Sequence, residues 1–318
     1  MDAVPLTLQD AIRYFADFER CREFMVRLRW PDDKVLCPRC GSGRVVWLAK
    51  AHLFKCYEKH ARPKFSLKTG TVFEDSAIGL DKWLVAVWLV VNCKNGISSY
   101  EIHRDLGVTQ KTAWFMLHRI RLAMQDPESG GKLSGEVEVD ETFIGGKARN
   151  MHKGRRIKAQ ALGRNTGGKA IVLGVLERGK KVRATVIPDR KKPAMQGFIR
   201  KNVKPGSQLY SDEHAYMWRM DAEYVHGVVN HLESYVKGNV HTNGIENFWS
   251  LLKRALHGSY VSVEPFHLFR YVDEQAFRFN TRKTCNDFGR FALALYQCVG
   301  KRLTYDELIG KEAETAAC

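Results

Sequence analysis

The hydrophobic pattern of the chain changes across residues 127–134, P-E-S-G-G-K-L-S, and this change constrains the fold more than any other feature. Before it, apolar residues recur at helical spacing over residues 7–28 and 81–124, the second stretch being broken twice at glycine. After it, V-E-V-D-E-T-F alternates as a strand does, and two apolar runs flank a predicted hairpin turn at Arg178-Gly179. We therefore expect a helical N-terminal part followed by a separate domain that contains a sheet.

The order of the later elements predicts the class of that domain. A short helix near residues 193–202 precedes a strand that ends at Asp212. Two helices follow, at about residues 243–256 and 264–280. Strands first, then a βα unit and then helices predict a mixed α/β domain.

The chain is strongly basic, with 51 Lys and Arg against 35 Asp and Glu and a formal net charge of +16. Such an excess favours a polyanionic partner, DNA or RNA. Residues 1–20 lack the apolar core of a secretory signal. The longest apolar run, Trp83–Val91, is far shorter than the roughly 20 residues that a membrane span needs. We therefore expect a cytoplasmic protein that binds nucleic acid.

Residues 33–73 contain a cluster of candidate zinc ligands. C-P-R-C at Cys37 and Cys40 is followed by Cys56 and by His60 in a C-x3-H pair. Three thiolates and an imidazole are a complete tetrahedral set for Zn²⁺, so the predicted site is structural. His52 is the alternative fourth ligand, and a loose group of reduced thiols or a redox C-x-x-C is the alternative to a metal site.

Residues 98–121 have the pattern of a helix-turn-helix. Ser99 can cap a first helix, Gly107 allows the turn, and Thr109 can cap a second helix. The N-terminal end of the second helix is the part that approaches base edges in this motif. The predicted DNA-binding residues here are Gln110, Lys111 and Thr112, with a basic flank at Arg119 and Arg121. The alternative is an ordinary helical hairpin packed in a core.

Three acids follow in the order strand, strand, helix. Asp140 lies in the first strand, Asp212 ends a later one, and Glu246 lies seven residues before Lys253 in a predicted amphipathic helix. Seven residues are close to two helical turns, so Glu246 and Lys253 share a face. Three acids can hold a pair of divalent metal ions, and the lysine can reach a phosphate. This pattern indicates metal-assisted phosphoryl transfer on nucleic acid.

A basic, glycine-rich insert separates the first strand from the hairpin. Its cations alternate with glycines, so it can follow a phosphate backbone but offers no rigid surface for reading bases. We expect a mobile loop here. The predicted backbone contacts are Lys147, Arg155, Arg156 and Lys158 of the insert and Arg254 beside Lys253.

At this point the chain resembles a known family, the DDE transposases of bacterial and archaeal insertion sequences of the ISXO-like type. The resemblance covers about residues 10–285. It rests on C-P-R-C, K-F-S-L-K-T-G-T-V-F-E-D-S, L-D-K-W, A-W-x-M-L-H-R-I-R, V-D-E-T-F-I-G-G-K, S-D-E-H and H-T-N-G-I-E-N-F-W-S-L-L-K-R. One difference is that His60 stands where the commoner ribbon of the family has a second C-x-x-C.

The resemblance implies a zinc ribbon, a helix-turn-helix and a ribonuclease H-like core with a five-stranded mixed sheet. The domains expected from it are residues 1–75, with an N-terminal helix and the ribbon, 76–130, with the helix-turn-helix, 131–300, the catalytic core, and 301–318, a tail. It also implies Mg²⁺- or Mn²⁺-dependent cutting and joining of DNA at terminal inverted repeats. The protein would act on target DNA as a homo-oligomer in a synaptic complex, in the cytoplasm and close to the nucleoid.

By the same resemblance, Asp140 and Asp212 are the first two metal ligands and Glu246 is the third. Some relatives use asparagine as the third residue, which leaves Asn243 and Asn247 as alternatives. Two other functions share parts of the pattern. A ribonuclease H-like nuclease or junction resolvase would cut without joining, and a catalytically silent regulator would keep only the ribbon and the helix-turn-helix.

Overall fold

The computed structural model describes residues 4–125, 131–146, 154, 169–212, 220, 222–229 and 241–311. The chain forms two compact units. One consists of Met1–Gln125 together with Thr281–Cys318, and the other of Asp126–Asn280. Within the described residues, no helix is both long enough and apolar enough to cross a membrane.

The first unit begins with two helices, α1 (Leu8–Phe15) and α2 (Phe18–Arg29), where the periodicity predicted one. The break occurs because Asp17 adopts an extended conformation, and its side chain accepts a hydrogen bond from the backbone N–H of Arg20, which caps α2. The cap predicted at Thr7 is confirmed and forms a capping box at the start of α1.

A small three-stranded antiparallel sheet follows. Its strands are β1 (Val45–Leu48), β2 (Leu53–Cys56) and β3 (Lys64–Phe65), in the order β1-β2-β3. Phe54 and Phe65 are paired across β2 and β3, and their rings are buried and stacked at 5.4 Å. Because so small a sheet buries little else, a bound metal ion is the expected source of further stability.

Helix α3 (Leu80–Asn92) is almost entirely buried, and α4 (Ser99–Leu106) and α5 (Gln110–Ala123) form the predicted helix-turn-helix pair. Gly107 ends α4 at φ 58°, a left-handed conformation that glycine adopts without strain. The cap of α4 is Ser98 rather than the predicted Ser99, and Thr109 caps α5 as predicted.

Two C-terminal helices, α9 (Asp287–Gln297) and α10 (Tyr305–Ile309), belong to this same unit. The ring of Phe291 on α9 lies 5.5 Å from that of Phe15 and 5.2 Å from that of Trp88. The boundary expected at residue 300 thus differs from the observed grouping, because this aromatic cluster holds α9 against the N-terminal helices.

The second unit contains a five-stranded mixed sheet in the order β6-β5-β4-β7-β8. The strands are β4 (Glu136–Ile144), β5 (Ala170–Glu177), β6 (Val182–Ile187), β7 (Gln208–Asp212) and β8 (Val225–Val229). The first three are antiparallel, and β4, β7 and β8 are parallel. This order and these directions confirm the predicted ribonuclease H-like sheet and the hairpin at Arg178-Gly179.

Helices cover both faces of this sheet. Alternate residues of β5 point to opposite faces, and apolar residues on each face pack against a helix. Leu173 and Val175 share one core with α6 (Lys192–Asn202), and Val172 and Leu176 share the other with α7 and α8. Helix α7 spans Asn243–Ala255 and α8 spans Leu268–Thr281. The sheet is therefore the middle layer of three, and α7 lies directly on it.

Candidate active site and metal centre

The two predicted aspartates lie on neighbouring central strands. Strands β4 and β7 are parallel neighbours, with Val137 opposite Leu209 and Glu138 opposite Tyr210. Asp140 lies two residues beyond Glu138 on β4, and Asp212, the last residue of β7, lies two residues beyond Tyr210. Neighbouring strands lie about 4.8 Å apart. The central strand pair therefore brings two positions 72 residues apart in the chain to the same end of the sheet.

Asp140 is half-buried and contacts helix α7. Its Oδ2 accepts a hydrogen bond of 2.9 Å from the indole Nε1–H of Trp249. On the neighbouring strand β5, Gly174 stands opposite Asp140, and a Cβ there would lie 2.7 Å from the Trp249 ring. The absence of a side chain at Gly174 is therefore what lets the indole reach the aspartate.

Glu246 lies in the first turn of α7 and is exposed. Its Oε1 accepts a hydrogen bond of 2.8 Å from the hydroxyl of Thr242. Lys253 lies two turns later on the same helix and is also exposed, as predicted from the spacing. The remaining predicted residues of this helix are exposed too: Asn243, Asn247 and Arg254.

Another acid of β4, Glu138, was not predicted to belong to the site. Its carboxylate is 1% exposed, and it accepts hydrogen bonds from the backbone N–H of Ile245 at 2.8 Å and from Arg178 Nε at 3.0 Å. His241 Nδ1 lies 3.5 Å from the same carboxylate. The alternation V-E-V-D was the signal for it, because residues 138 and 140 of a strand point to the same face.

Arg178 was interpreted from the sequence only as a turn residue, yet it links three elements. Its guanidinium lies 4.1 Å from the centre of the Tyr210 ring on β7 and donates a 2.7 Å hydrogen bond to the carbonyl of His241. The ion pair with Glu138 places a full positive charge beside the buried carboxylate. This cation offsets much of the cost of burying that acid.

The four predicted zinc ligands lie together. The potential ligand atoms of Cys37, Cys40, Cys56 and His60 all lie within 4.8 Å of one another. Cys37 Sγ is 3.6 Å from His60 Nε2, and the same distance separates the Sγ atoms of Cys40 and Cys56. A tetrahedron with Zn–S bonds of about 2.3 Å has edges of about 3.8 Å, so the set fits zinc.

The environment of Cys37 favours the thiolate that a metal needs. Burial acts to raise its pKa, but the backbone N–H groups of Arg39 and Cys40 act in the opposite sense, and the pKa is lowered. His52, the alternative ligand, packs edge-on against Phe18 with ring centres 4.2 Å apart. The structure therefore brings His60, and not His52, to the three cysteines.

The residues predicted to read bases make contacts within their own unit. Gln110 Nε2 donates a 2.8 Å hydrogen bond to Ser99 Oγ, and the hydroxyls of Thr112 and Thr109 lie 2.8 Å apart. Lys111 Nζ lies 4.9 Å from the centre of the Tyr305 ring. These side chains would have to exchange such contacts for contacts with DNA.

The basic flank of α5 is not on the surface. Arg119 is 6% exposed and Arg121 is 1% exposed. Arg119 donates a 2.8 Å hydrogen bond to the carbonyl of Glu74 and stacks on the Phe115 ring at 4.3 Å, and burial lowers its pKa. Both arginines thus pack inside the unit, so we do not include them in the proposed DNA interface.

The predicted contacts of the basic insert lie outside the described residues. They are Lys147, Arg155, Arg156 and Lys158.

Comparison with known proteins identifies the family of this chain. Residues 132–280 match the ISXO2-like transposase domain, and residues 17–60 match the transposase zinc-ribbon domain. A protein in the transposable element ISH50 of Halobacterium salinarum is 30% identical over 258 residues, which are 77% of this chain and 85% of that relative. A transposase-like protein of Haemophilus influenzae is 32% identical over 101 residues, 31% of this chain and 81% of that relative. The zinc ribbon, the ribonuclease H-like sheet and the extent of these matches show that the chain belongs to the ISXO2-like transposase family.

Proposed function

We propose that this protein binds the ends of an insertion sequence, cuts a DNA strand there and joins the freed end to target DNA in a reaction that depends on Mg²⁺ or Mn²⁺. The observation that carries the proposal is the position of the acids. Asp140 and Asp212 lie two residues beyond the last paired residues of the two central parallel strands, and α7, which carries Glu246, is hydrogen-bonded to Asp140 through Trp249.

Carboxylate oxygens are the ligands that Mg²⁺ prefers, and Asp140, Asp212 and Glu246 would hold the ions. When bound, two such ions activate the attacking oxygen and neutralise charge on the phosphate and the leaving oxygen. Lys253 is exposed two turns after Glu246 and would hold a phosphate of the scissile strand. Arg254 would add a neighbouring backbone contact.

The chemistry requires two successive in-line displacements at phosphorus. In the first, water attacks a phosphodiester at the end of the element, and the 3′-oxygen leaves as a hydroxyl. In the second, that 3′-hydroxyl attacks a target phosphodiester, a new phosphodiester forms, and a 3′-hydroxyl of the target is released. Neither displacement needs a covalent bond between protein and DNA.

The N-terminal unit would supply recognition. In this proposal, Gln110, Lys111 and Thr112 contact the terminal repeats. The basic insert of the other unit contacts the phosphate backbone, and the role of the zinc ion is to stabilise the ribbon. Two ends must be brought together for joining, so we propose a homo-oligomer in the synaptic complex. The protein would act in the cytoplasm, at the nucleoid.

The test uses the full-length protein, a duplex containing an inverted repeat that flanks the gene, and a target plasmid. Asp140→Asn, Asp212→Asn and Glu246→Gln should each abolish nicking and strand transfer while leaving end binding intact. Glu264→Gln is the matched control, because Glu264 is an exposed acid of the same unit outside the site. It should keep both activities.

Three results would contradict parts of the proposal. Nicking without any joined product would indicate a nuclease or resolvase. Specific binding without metal-dependent nicking in the wild type would indicate a regulator. Normal activity of Glu246→Gln together with loss of activity in Asn243→Ala or Asn247→Ala would assign the third ligand to an asparagine.

A further inference from the structure

Two hydrogen bonds join helix α7 to strand β4. The backbone N–H of Ile245 donates to Glu138 Oε2 at 2.8 Å, and the indole N–H of Trp249 donates to Asp140 Oδ2 at 2.9 Å. The donors are four residues apart on the helix, and the acceptors are two residues apart on the strand. Each bond runs from the helix to a carboxylate on the same face of the sheet.

The two spacings match. Two residues of a strand advance about 6.6 Å and keep the same face. Four residues of a helix advance about 6.0 Å and stay on nearly the same face. Two bonds between elements with nearly equal spacings fix both the sliding of α7 along β4 and its rotation about its own axis. A single bond would leave one of these motions free.

A glycine stands at each of the two bonds. A Cβ on Gly244 would lie 2.8 Å from Glu138 Oε2, and a Cβ on Gly174 would lie 2.7 Å from the Trp249 ring. Both distances are shorter than an ordinary contact between non-bonded heavy atoms, about 3.5–4.0 Å for two carbons. The close approach of helix to sheet at both points thus depends on glycine.

Glu138 also takes the place of the missing helix cap. Within the described part of the chain, Thr242, at the N-cap position of α7, makes no capping hydrogen bond with its side chain, and its hydroxyl donates a hydrogen bond to Glu246 instead. Ile245 is the third residue of α7, whose N–H an N-cap side chain commonly accepts. The carboxylate of Glu138 therefore meets the positive end of the helix, which favours a negative charge there.

From these contacts we propose that Glu138 and Trp249 are positioning residues that clamp α7 to β4, and that Glu138 is not itself a metal ligand. Both oxygens of Glu138 are engaged within the protein, one by the Ile245 amide and one by Arg178. Ile245 is the chain neighbour of Glu246, so holding its amide holds the backbone of the third acid. The inference rests on the proposed function for its catalytic meaning, but the clamp can be measured without it.

The first measurement is backbone amide exchange at Ile245 in the metal-free, DNA-free full-length protein. Glu138→Leu removes the acceptor, and the amide should exchange about 10 to 100 times faster, the factor for losing a hydrogen bond to a charged group. Glu138→Gln keeps a carbonyl acceptor and should retain most of the protection. Glu136→Gln is the matched control, because Glu136 lies on the same strand and also pairs with Arg178, at 3.6 Å.

The second measurement is Mn²⁺ binding, followed by electron paramagnetic resonance. Trp249→Phe keeps a ring over Gly174 but removes the N–H donor. It should weaken Mn²⁺ binding about 10- to 100-fold, as loss of a partner that orients a ligand does. Glu138→Gln, which keeps a carbonyl acceptor, should leave the number of ions bound unchanged. Trp114→Phe, in the other unit, should leave Mn²⁺ binding unchanged.

The outcomes separate the clamp from the proposed function. Equal Ile245 exchange in wild type and Glu138→Leu, or unchanged Mn²⁺ affinity in Trp249→Phe, overturns the clamp even if the wild type joins DNA. Loss of one bound ion in Glu138→Gln, as in Asp140→Asn, makes Glu138 a ligand and also overturns it. If both measurements behave as expected and the wild type never joins DNA, the clamp holds and the proposed function fails.

Discussion

Replacement of Gly174 by alanine is the most direct test of how closely α7 lies against the sheet. The added methyl carbon would lie 2.7 and 2.9 Å from two carbons of the Trp249 ring and 3.0 Å from Ile245 Cδ1. Ordinary carbon–carbon contacts are about 3.5–4.0 Å, so the helix must move by about 1 Å. That movement lengthens the bond of 2.9 Å between Trp249 and Asp140.

Overpacking of this kind costs about 1–3 kcal/mol, and a weakened hydrogen bond adds about 1 kcal/mol. We therefore expect Gly174→Ala to lower the free energy of unfolding of this unit by about 2–4 kcal/mol. Urea unfolding of the full chain, followed by far-ultraviolet circular dichroism and tryptophan fluorescence, measures the change.

The matched control is Gly197→Ala in helix α6. Gly197 is exposed, and apart from its two chain neighbours and the nearby backbone of its own helix, no described atom lies within 4 Å of the position of an added Cβ. Alanine in a helix is more favourable than glycine, so this change should stabilise by about 0.5–1 kcal/mol. A Gly174→Ala protein within about 0.5 kcal/mol of wild type would refute the close packing of Trp249 on β5.

Three further predictions concern other parts of the chain. His60→Ala should lose the zinc that metal analysis finds in wild type, and His52→Ala should retain it. Val261 is 77% exposed and is the central residue of a γ-turn, with φ 58° and a hydrogen bond from Ser262 N–H to the Tyr260 carbonyl. Because this backbone conformation is strained for valine, Val261→Gly should raise the free energy of unfolding in urea by about 1 kcal/mol. The pKa of Glu101 is lowered first by the backbone N–H of Ser98 and then by its side chain. The contribution of the Glu101 carboxylate to stability is therefore present above the ordinary glutamate pKa and is lost as pH falls through the lowered pKa. Thermal unfolding measured from about pH 6 to about pH 3 should show this loss in wild type but not in Glu101→Gln.

The fold could be predicted from the sequence where local pattern and chemistry agree. Alternation, a turn with glycine and the strand-then-helix order were enough to predict a mixed α/β domain, whereas the five-stranded mixed sheet was expected only from the family resemblance. Ligand spacing was enough to single out Cys37, Cys40 and Cys56 with a nearby histidine. Spacing alone left two histidines open, because their choice depends on which way the chain turns after β1, where His52 at φ 50° packs against Phe18.

The errors come from tertiary contacts that no local pattern encodes. Arg119 and Arg121 were interpreted from the sequence as a basic flank that contacts DNA. In the structure, Arg119 donates a hydrogen bond to the Glu74 carbonyl and Arg121 is almost fully buried. Glu138 was not singled out from the sequence, because its partner amide is 107 positions away. The sequence alone does not distinguish a buried charged residue from an exposed one, because it does not show which groups pair with that charge.

The geometry of α7 also bears on which residue is the third ligand. At 3.6 residues per turn, successive side chains are about 100° apart around the helix axis. Trp249 marks the side of α7 that meets Asp140, because its indole bonds that carboxylate. Around the axis, Lys253 lies about 40° from Trp249 and Glu246 about 60° from it. Both are therefore on the edge of the helix nearest the first aspartate.

The two asparagines lie farther around the helix. Asn243 is about 120° from Trp249, and Asn247 is about 160° from it. Glu246 therefore lies on the side of α7 that Trp249 turns toward Asp140, and Asn247 lies on the opposite side. Glutamate also offers a full negative charge, whereas asparagine offers a neutral carbonyl. Position and charge favour the same residue, and both follow from the rotation of α7 that the Trp249–Asp140 bond fixes.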